Sequence, residues 1–280
     1  MRIGRLQAAL LLGIPTLFLL IFFIYPFVLV IASSLHSNSN ALTLSEYVRI
    51  VSETYYLQVL LTTTVVTVWV TLITLPFGYC LAYYLVFHVS SPAVRRLIYV
   101  LLLTPLFITA IVRTFGWVII LGHNGLLNDV LLGIGAIASP LRILNSKTAV
   151  VIGMSYVLMP FMVLTVGSVL QGINISLLEA ARDLGANPII TFLRVTLPLS
   201  IPGVIAGSLI VFSLSMSAYV TPSIMSGRRF NLMPMLIFQE YMINFDFHFG
   251  GALSILLLTF TLGLMTIYMA VLNRWAQQLT

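Results

Sequence analysis

Six stretches of the chain stay apolar for long enough to matter: roughly Leu6–Ala32, Leu57–Phe87, Leu97–Leu121, Thr148–Leu170, Ile201–Met225 and Gly250–Leu272. Crossing ~30 Å of hydrocarbon takes about 20 helical residues, and every one of these runs reaches that length. The runs are continuous rather than alternating, which selects helices over the strands of a barrel. They predict an all-α membrane protein with six transmembrane helices. Pro76, Pro105 and Pro160 fall inside the runs, where membrane helices tolerate proline with a kink. Two shorter apolar patches, Leu126–Ala138 and Leu232–Ile243, are about a dozen residues each. They are too short to span and read as helices lying at the interface or packed on the bundle.

Between the fourth and fifth runs lies residues 171–200, a polar interruption with helix signals of its own. Ser176 and Glu179 have the S-x-x-E spacing of a capping box. Ile175, Leu178, Ala181 and Leu184 then share one face, with Glu179, Arg182 and Asp183 away from it. Gly185 is placed as a left-handed C-cap, and Asn187-Pro188 restarts the chain as N-cap and first helical residue. The second short helix is expected to run to about Leu197, where Pro198 stops it. Two short amphipathic helices joined by a glycine turn suit a docking element, and they suit an interfacial connector equally well.

Composition agrees with the pattern. Hydrophobic residues make up 60% of the 280 and charged ones 7%, with a mean hydropathy of +1.10. Soluble domains carry about 25% charged residues, so lipid is the main solvent here. No connecting segment is long enough to hide a soluble domain, no repeat is visible, and the chain reads as one membrane domain, 1–280. The net charge of +6 does not signal nucleic acid, because the basic residues are scattered and the longest runs are the pairs Arg95-Arg96 and Arg228-Arg229. Cys80 is the single cysteine and sits in an apolar run, so no internal disulfide exists.

The first run is preceded by Arg2 and Arg5 but is longer than the 7–15 residues of a signal-peptide core, so it reads as a retained helix. With the N-terminus inside, the inner loops and ends hold Arg2, Arg5, Arg95, Arg96, Arg182, Arg194 and Arg274, against Arg49, Arg142, Lys147, Arg228 and Arg229 outside. The uncharged "SSLHSNSN" after the first run points the same way. Both termini are expected in the cytoplasm.

Chemistry is sparse. A nucleotide-binding P-loop needs G-x-x-x-x-G-K-[ST], and the only lysine, Lys147, follows Ser146. No catalytic, cofactor or metal site is expected: His123 and His248 have no partner at ligand spacing. All seven acidic residues lie outside the six runs, which argues against a proton- or sodium-driven secondary carrier. A non-transporting structural subunit remains a second alternative, one that leaves the 171–200 pattern unexplained. Arg113 is the one charge within a run; its alternatives are snorkelling to the outer interface, or an outer-gate or pathway role pairing with a carboxylate or a helix C-terminus. Tyr79, Tyr83, Tyr84, Tyr156 and Tyr219 can line a path or simply pack.

The polar interruption also carries a resemblance. Its "EAARDLG", nine residues, then "VTLP" is similar to the EAA signature of permease subunits of binding-protein-dependent ABC importers, E-A-A, three residues, G, nine residues, I-x-L-P. Glu179, Ala180, Ala181, Gly185, Leu197 and Pro198 coincide with it, while Val195 stands where isoleucine is usual. "VRTFGWVIILGHNGLLN" (112–128), "LMPFMVLTV" (158–166), "TLPLSIPGVIAGSLIVF" (196–212), "YVTP" (219–222) and "FGGALS" (249–254) resemble the spermidine/putrescine permease branch. The resemblance implies a type I importer permease of the MetI-like fold in a bacterial inner membrane, with 171–200 as its coupling loop. Glu179, Ala180, Ala181, Asp183, Gly185, Leu197 and Pro198 would then couple to ATP-binding subunits. Implied partners are a homologous permease, two ATPase subunits, an extracytoplasmic solute-binding protein and membrane lipid. Arg113, matched by an arginine in related permeases, and Tyr219 are the candidates for pathway or gate. Polyamine is the implied solute, with opines, amino-acid-like solutes and phosphonates as alternatives.

Overall fold

The computed structural model describes the backbone of residues 5–36 and 42–279, and the side chains of 12–36 and 42–272. Arg2 and residues 37–40 of the Ser33–Asn40 stretch lie outside the described residues, as do the side chains of Arg5, Arg274 and Trp275. The described chain is helical, with one isolated bridge between His36 and Leu42. In order the helices are α1 (Arg5–Leu19, carried through a π segment Leu20–Ile24 into Tyr25–Ser34), α2 (Ser45–Ser52), α3 (Thr54–Phe87), α4 (Pro92–Phe107), α5 (Ala110–Leu121), α6 (Leu126–Gly133), α7 (Lys147–Gln171) and α8 (Ile175–Asp183). They continue with α9 (Pro188–Thr191, a π segment Phe192–Thr196, then Leu197–Met216), α10 (Val220–Met225), α11 (Met233–Gln239, with a π segment Glu240–Asn244) and α12 (Phe247–Leu279).

Among the described residues six segments are long and apolar enough to cross a membrane: Leu12–Ser34, Thr54–Phe87, Ala110–Gly133, Lys147–Gln171, Pro188–Met216 and Phe247–Leu272. Four of them overlie predicted runs with shifted ends. The third and fifth do not. The expected continuous helix Leu97–Leu121 is broken, because Ile108 and Thr109 take extended backbone with ψ of 135° and 144°. Pro105 has no N–H for the carbonyl of Leu101, which weakens the last turn of α4, and the β-branched pair that follows favours the extended region. The expected Ile201–Met225 ends instead at Met216, and Ser217-Ala218-Tyr219 separates it from α10. It also starts earlier than expected. Pro198 does not stop a short helix; the chain continues through it from Pro188 to Met216.

One device explains the continuity. Two of the π segments end just before an X-Pro pair, Tyr25-Pro26 and Leu197-Pro198. The N–H groups of Tyr25 and Leu197 reach back five residues, to the carbonyls of Leu20 and Phe192. Widening the helix by one residue shifts the register around the missing proline N–H and the ring's clash with the preceding turn.

The chain falls into two compact units. The first comprises residues 1–58 and 236–260. Within it Tyr47 donates from its hydroxyl to Ser34 Oγ at 2.9 Å, His248 Nδ1 meets the Ser33 carbonyl at 2.8 Å, and the Arg49 guanidinium lies 4.2 Å from the centre of the Phe249 ring. Residues 12–29 of α1 are exposed throughout.

The second unit comprises residues 59–235 and 261–280 and is organised on α7, whose Met162, Val163, Val166 and Leu170 are fully buried. Lipid tails are as apolar as leucine, so helices in a membrane are held by close packing rather than by escape from water. Gly78 of α3 and Gly207 of α9 supply that approach: a Cβ on either would lie 2.7–2.8 Å from the Met162 side chain.

Candidate functional site

The 171–200 interruption is a built corner. Asn174 caps α8, its Oδ1 accepting from the Ser176 N–H at 3.0 Å. Ser176 is thus the second helical residue and not the cap, and the Ser176–Glu179 capping box does not form; Glu179 sits exposed in the second turn. Asparagine's side chain wins because it bonds the backbone two residues on with no rotation of the chain entering the helix.

The other end is as expected. Gly185 has φ +81°, the left-handed region. Its N–H donates to the Arg182 carbonyl at 2.8 Å, and the Ala186 N–H donates to that of Ala181 at 3.0 Å. These two bonds are the Schellman pattern, which closes the last turn and reverses the chain. Asn187 Oδ1 then accepts from the Ile190 N–H at 2.8 Å with Pro188 in the first turn, starting α9.

Glu179, Ala180, Asp183 and Gly185 are exposed around this corner, and Ala181 is half-buried. Leu197 and Pro198 are not at the end of a second short helix: they are half-buried in α9 just past its π segment, on the shaft that enters the bundle. Leu184, Ile189 and Ile175 are left bare at 89%, 69% and 63% exposure. The corner therefore presents an uncovered apolar edge beside Glu179 and Asp183.

A second site is assembled by the two helix breaks. They meet at a cavity of about 640 Å³ whose lining includes Phe107, Ile108, Thr109, Arg113, Phe161 and Tyr219. Arg113 and Tyr219, far apart in sequence, thus share one cavity. Arg113 is half-buried. Its Nη1 donates to the Pro105 carbonyl at 2.6 Å, across the break between α4 and α5. That carbonyl would bond the Thr109 N–H in an unbroken helix; the arginine takes its place, a cation on a helix C-terminus. Arg113 Nε is buried without a partner.

The surrounding scaffold holds the breaks in place. Thr114 and Thr221 share a buried hydroxyl bond of 3.2 Å that joins α5 to α10. Trp117 stands edge-on to Tyr156 at 5.4 Å, joining α5 to α7. Asn128 is buried, donates to the carbonyls of Gly122, His123 and Leu141, and accepts from the Leu141 N–H, which pins the loops on both sides of α6. Of the other tyrosines, Tyr84 stacks on His88, while Tyr79 and Tyr83 pack against Phe192 rather than on the cavity. Sequence reasoning missed Asn174, Asn128 and the Pro105 carbonyl. Asn174 was legible as a cap competing with Ser176; a backbone acceptor at a hidden break carries no side-chain signal.

Residues 74–278 match the model of the family described as binding-protein-dependent transport system inner membrane component. The chain is 36% identical over 254 residues to the spermidine/putrescine transport system permease protein PotB of Escherichia coli, covering 88% of this chain and 90% of that one. It is 34% identical to the PotB of Haemophilus influenzae, covering 85% and 84%. In structure it is similar to a chain of a bacterial alginate ABC transporter solved in complex with an alginate pentasaccharide-bound periplasmic protein, with a TM-score of 0.79 over 97% of this chain and 95% of that one. At 17% identity that likeness speaks for the fold alone. The chain belongs to the binding-protein-dependent transport system inner membrane component family: it is the multi-pass inner-membrane permease subunit of an ABC importer, which works with ATPase subunits and a solute-binding protein.

Proposed function

We propose that this subunit pairs with a homologous permease to enclose a polyamine pathway, that both its termini are cytoplasmic, and that two ATPase subunits drive it through the EAA loops. Residues 1–280 act as one permease domain. ATP hydrolysis belongs to the partners, since the chain has no lysine in a P-loop context.

The observation that carries the coupling role is the bare corner at 171–200. A nine-residue helix cannot hold itself together in water, yet α8 is capped at both ends, and the corner that follows it leaves Leu184 and, in the first turn of α9, Ile189 exposed. An apolar edge flanked by Glu179 and Asp183 suits a cleft on an ATPase subunit. Glu179, Ala180, Ala181, Asp183 and Gly185 form the docking corner, and Leu197 and Pro198 pass its movement into α9. Arg113 and Tyr219 belong to the pathway or its gate. For the solute, support comes from the relatives named as spermidine/putrescine permeases.

The test is reconstitution. The full importer in proteoliposomes should take up spermidine or putrescine only with ATP inside and binding protein outside, and the isolated chain should neither hydrolyse ATP nor respond to a proton or sodium gradient. Gradient-driven uptake by the isolated chain would instead establish a secondary carrier.

A further inference from the structure

If the solute is a polyamine, the cavity poses an electrostatic problem, because no carboxylate is among the described residues that line it. A cation crossing a low-dielectric wall needs negative potential from somewhere. The break supplies it. At the C-terminus of α4 the break at Ile108-Thr109 removes the helical N–H groups that the carbonyls from Pro105 onward would have bonded, and these carbonyls mark the negative end of the helix dipole. Leu106 and Phe107 line the cavity, and the Pro105 carbonyl is already held by a cation, the Arg113 guanidinium. Around them stand the rings of Phe161 and Tyr219, whose faces attract cations.

Arg113 is an incompletely satisfied occupant. It reaches back over the break to give one hydrogen bond, while its Nε stays buried and unpartnered. A group built only to cap a helix would use its fork more fully. We propose that the α4 C-terminus is a cation subsite shared in turn by two occupants: the tethered guanidinium of Arg113 when the path is empty, and a primary ammonium of the solute in transit. Two positive charges cannot share the carbonyls cheaply, so an arriving amine displaces Arg113, and the arginine's return closes the path behind it. Arg113 then works as a built-in competitor that keeps the subsite from leaking small cations.

This inference rests on the polyamine reading, and the experiment separates the two. Wild-type importer that takes up no spermidine overturns that reading. Given uptake, vesicles loaded with putrescine are assayed for ATP-independent efflux. Arg113→Met, similar in length but neutral, should raise efflux by about tenfold or more, the factor expected from losing one charge-assisted hydrogen bond. It should not raise efflux of 1,4-butanediol, and Arg113→Lys should stay near wild type. Equal leakage of the diol, or no leak at all, overturns the proposal. Should Arg113→Met fail to assemble, Thr109→Cys in a Cys80→Ser protein that retains Arg113 decides. Putrescine, and not the diol, should protect that thiol from modification; absence of protection overturns the proposal.

Discussion

Tyr79 and Ser200, 121 positions apart, share a buried hydroxyl bond of 2.8 Å. It joins α3 to α9 just past Pro198, where the shaft leaves its π segment. Phe192, the first residue of that segment, is flanked edge-on by Tyr79 at 5.8 Å and Tyr83 at 5.5 Å. The wide turn around the proline is thereby clasped by aromatic rings on one helix. The clasp lies between the EAA corner and the bundle, where force from an ATPase subunit would enter.

Tyr79→Phe keeps the rings and removes only the hydroxyl. Ser200 keeps its bond to the Leu197 carbonyl, so the stability cost should be about 1 kcal/mol. The expected effect falls on coupling: solute taken up per ATP hydrolysed should drop while ATPase subunits still bind. An unchanged ratio in proteoliposomes would reduce the clasp to packing.

The corner itself is testable one cap at a time. Asn174→Ala should cost about 1 kcal/mol of helix stability, whereas Ser176→Ala should cost little, because Asn174 holds the cap. Amide exchange over residues 175–178 would show the difference. Gly185→Val forces a β-branched residue to φ +81°, a strain of about 1–3 kcal/mol. Insertion into the membrane should be normal, with loss of ATPase-subunit co-purification. Normal co-purification and transport would make the corner a mere connector.

How far these features could be read beforehand depended on how local their causes are. Gly185 and Asn187-Pro188 were legible because a C-cap and an N-cap are decided within a few residues. Pro198 misled because its local meaning, a helix stop, is overruled by a π turn that only the packed shaft stabilises. The breaks at Ile108-Thr109 and Ser217–Tyr219 contain neither glycine nor proline, so hydropathy passes over them. The meeting of Arg113 and Tyr219 depends on both breaks, and it was hidden with them.

Orientation can be read directly. In a Cys80→Ser background, a cysteine replacing exposed Ser45, at the start of α2 in the connection between the first two spans, should react with impermeant thiol reagents in intact cells. One at Asn187 should react only when the inner face is opened. Reversed labelling would put the EAA corner on the wrong side for any cytoplasmic ATPase.

The last prediction concerns the crossing at Met162. A Cβ at Gly78 would lie 2.7 Å from Met162 Cγ and 2.9 Å from its Cβ, with the main chain of Val163 just behind. The Met162 stem, unlike its tip, cannot swing away. Gly78→Ala should therefore destabilise the second unit by about 1–3 kcal/mol through overpacking. Gly263 has open space where a Cβ would go, so Gly263→Ala should be neutral or stabilise by up to about 1 kcal/mol. Met162→Ala alone leaves a void and should cost about 2–5 kcal/mol. Combined, Gly78→Ala and Met162→Ala should cost less than the sum of the two, since the new methyl enters the vacated space. Thermal unfolding of the four proteins in detergent measures that coupling. Simple additivity would mean that the helices separate to admit the methyl, and that the close approach at Gly78 is not what holds them.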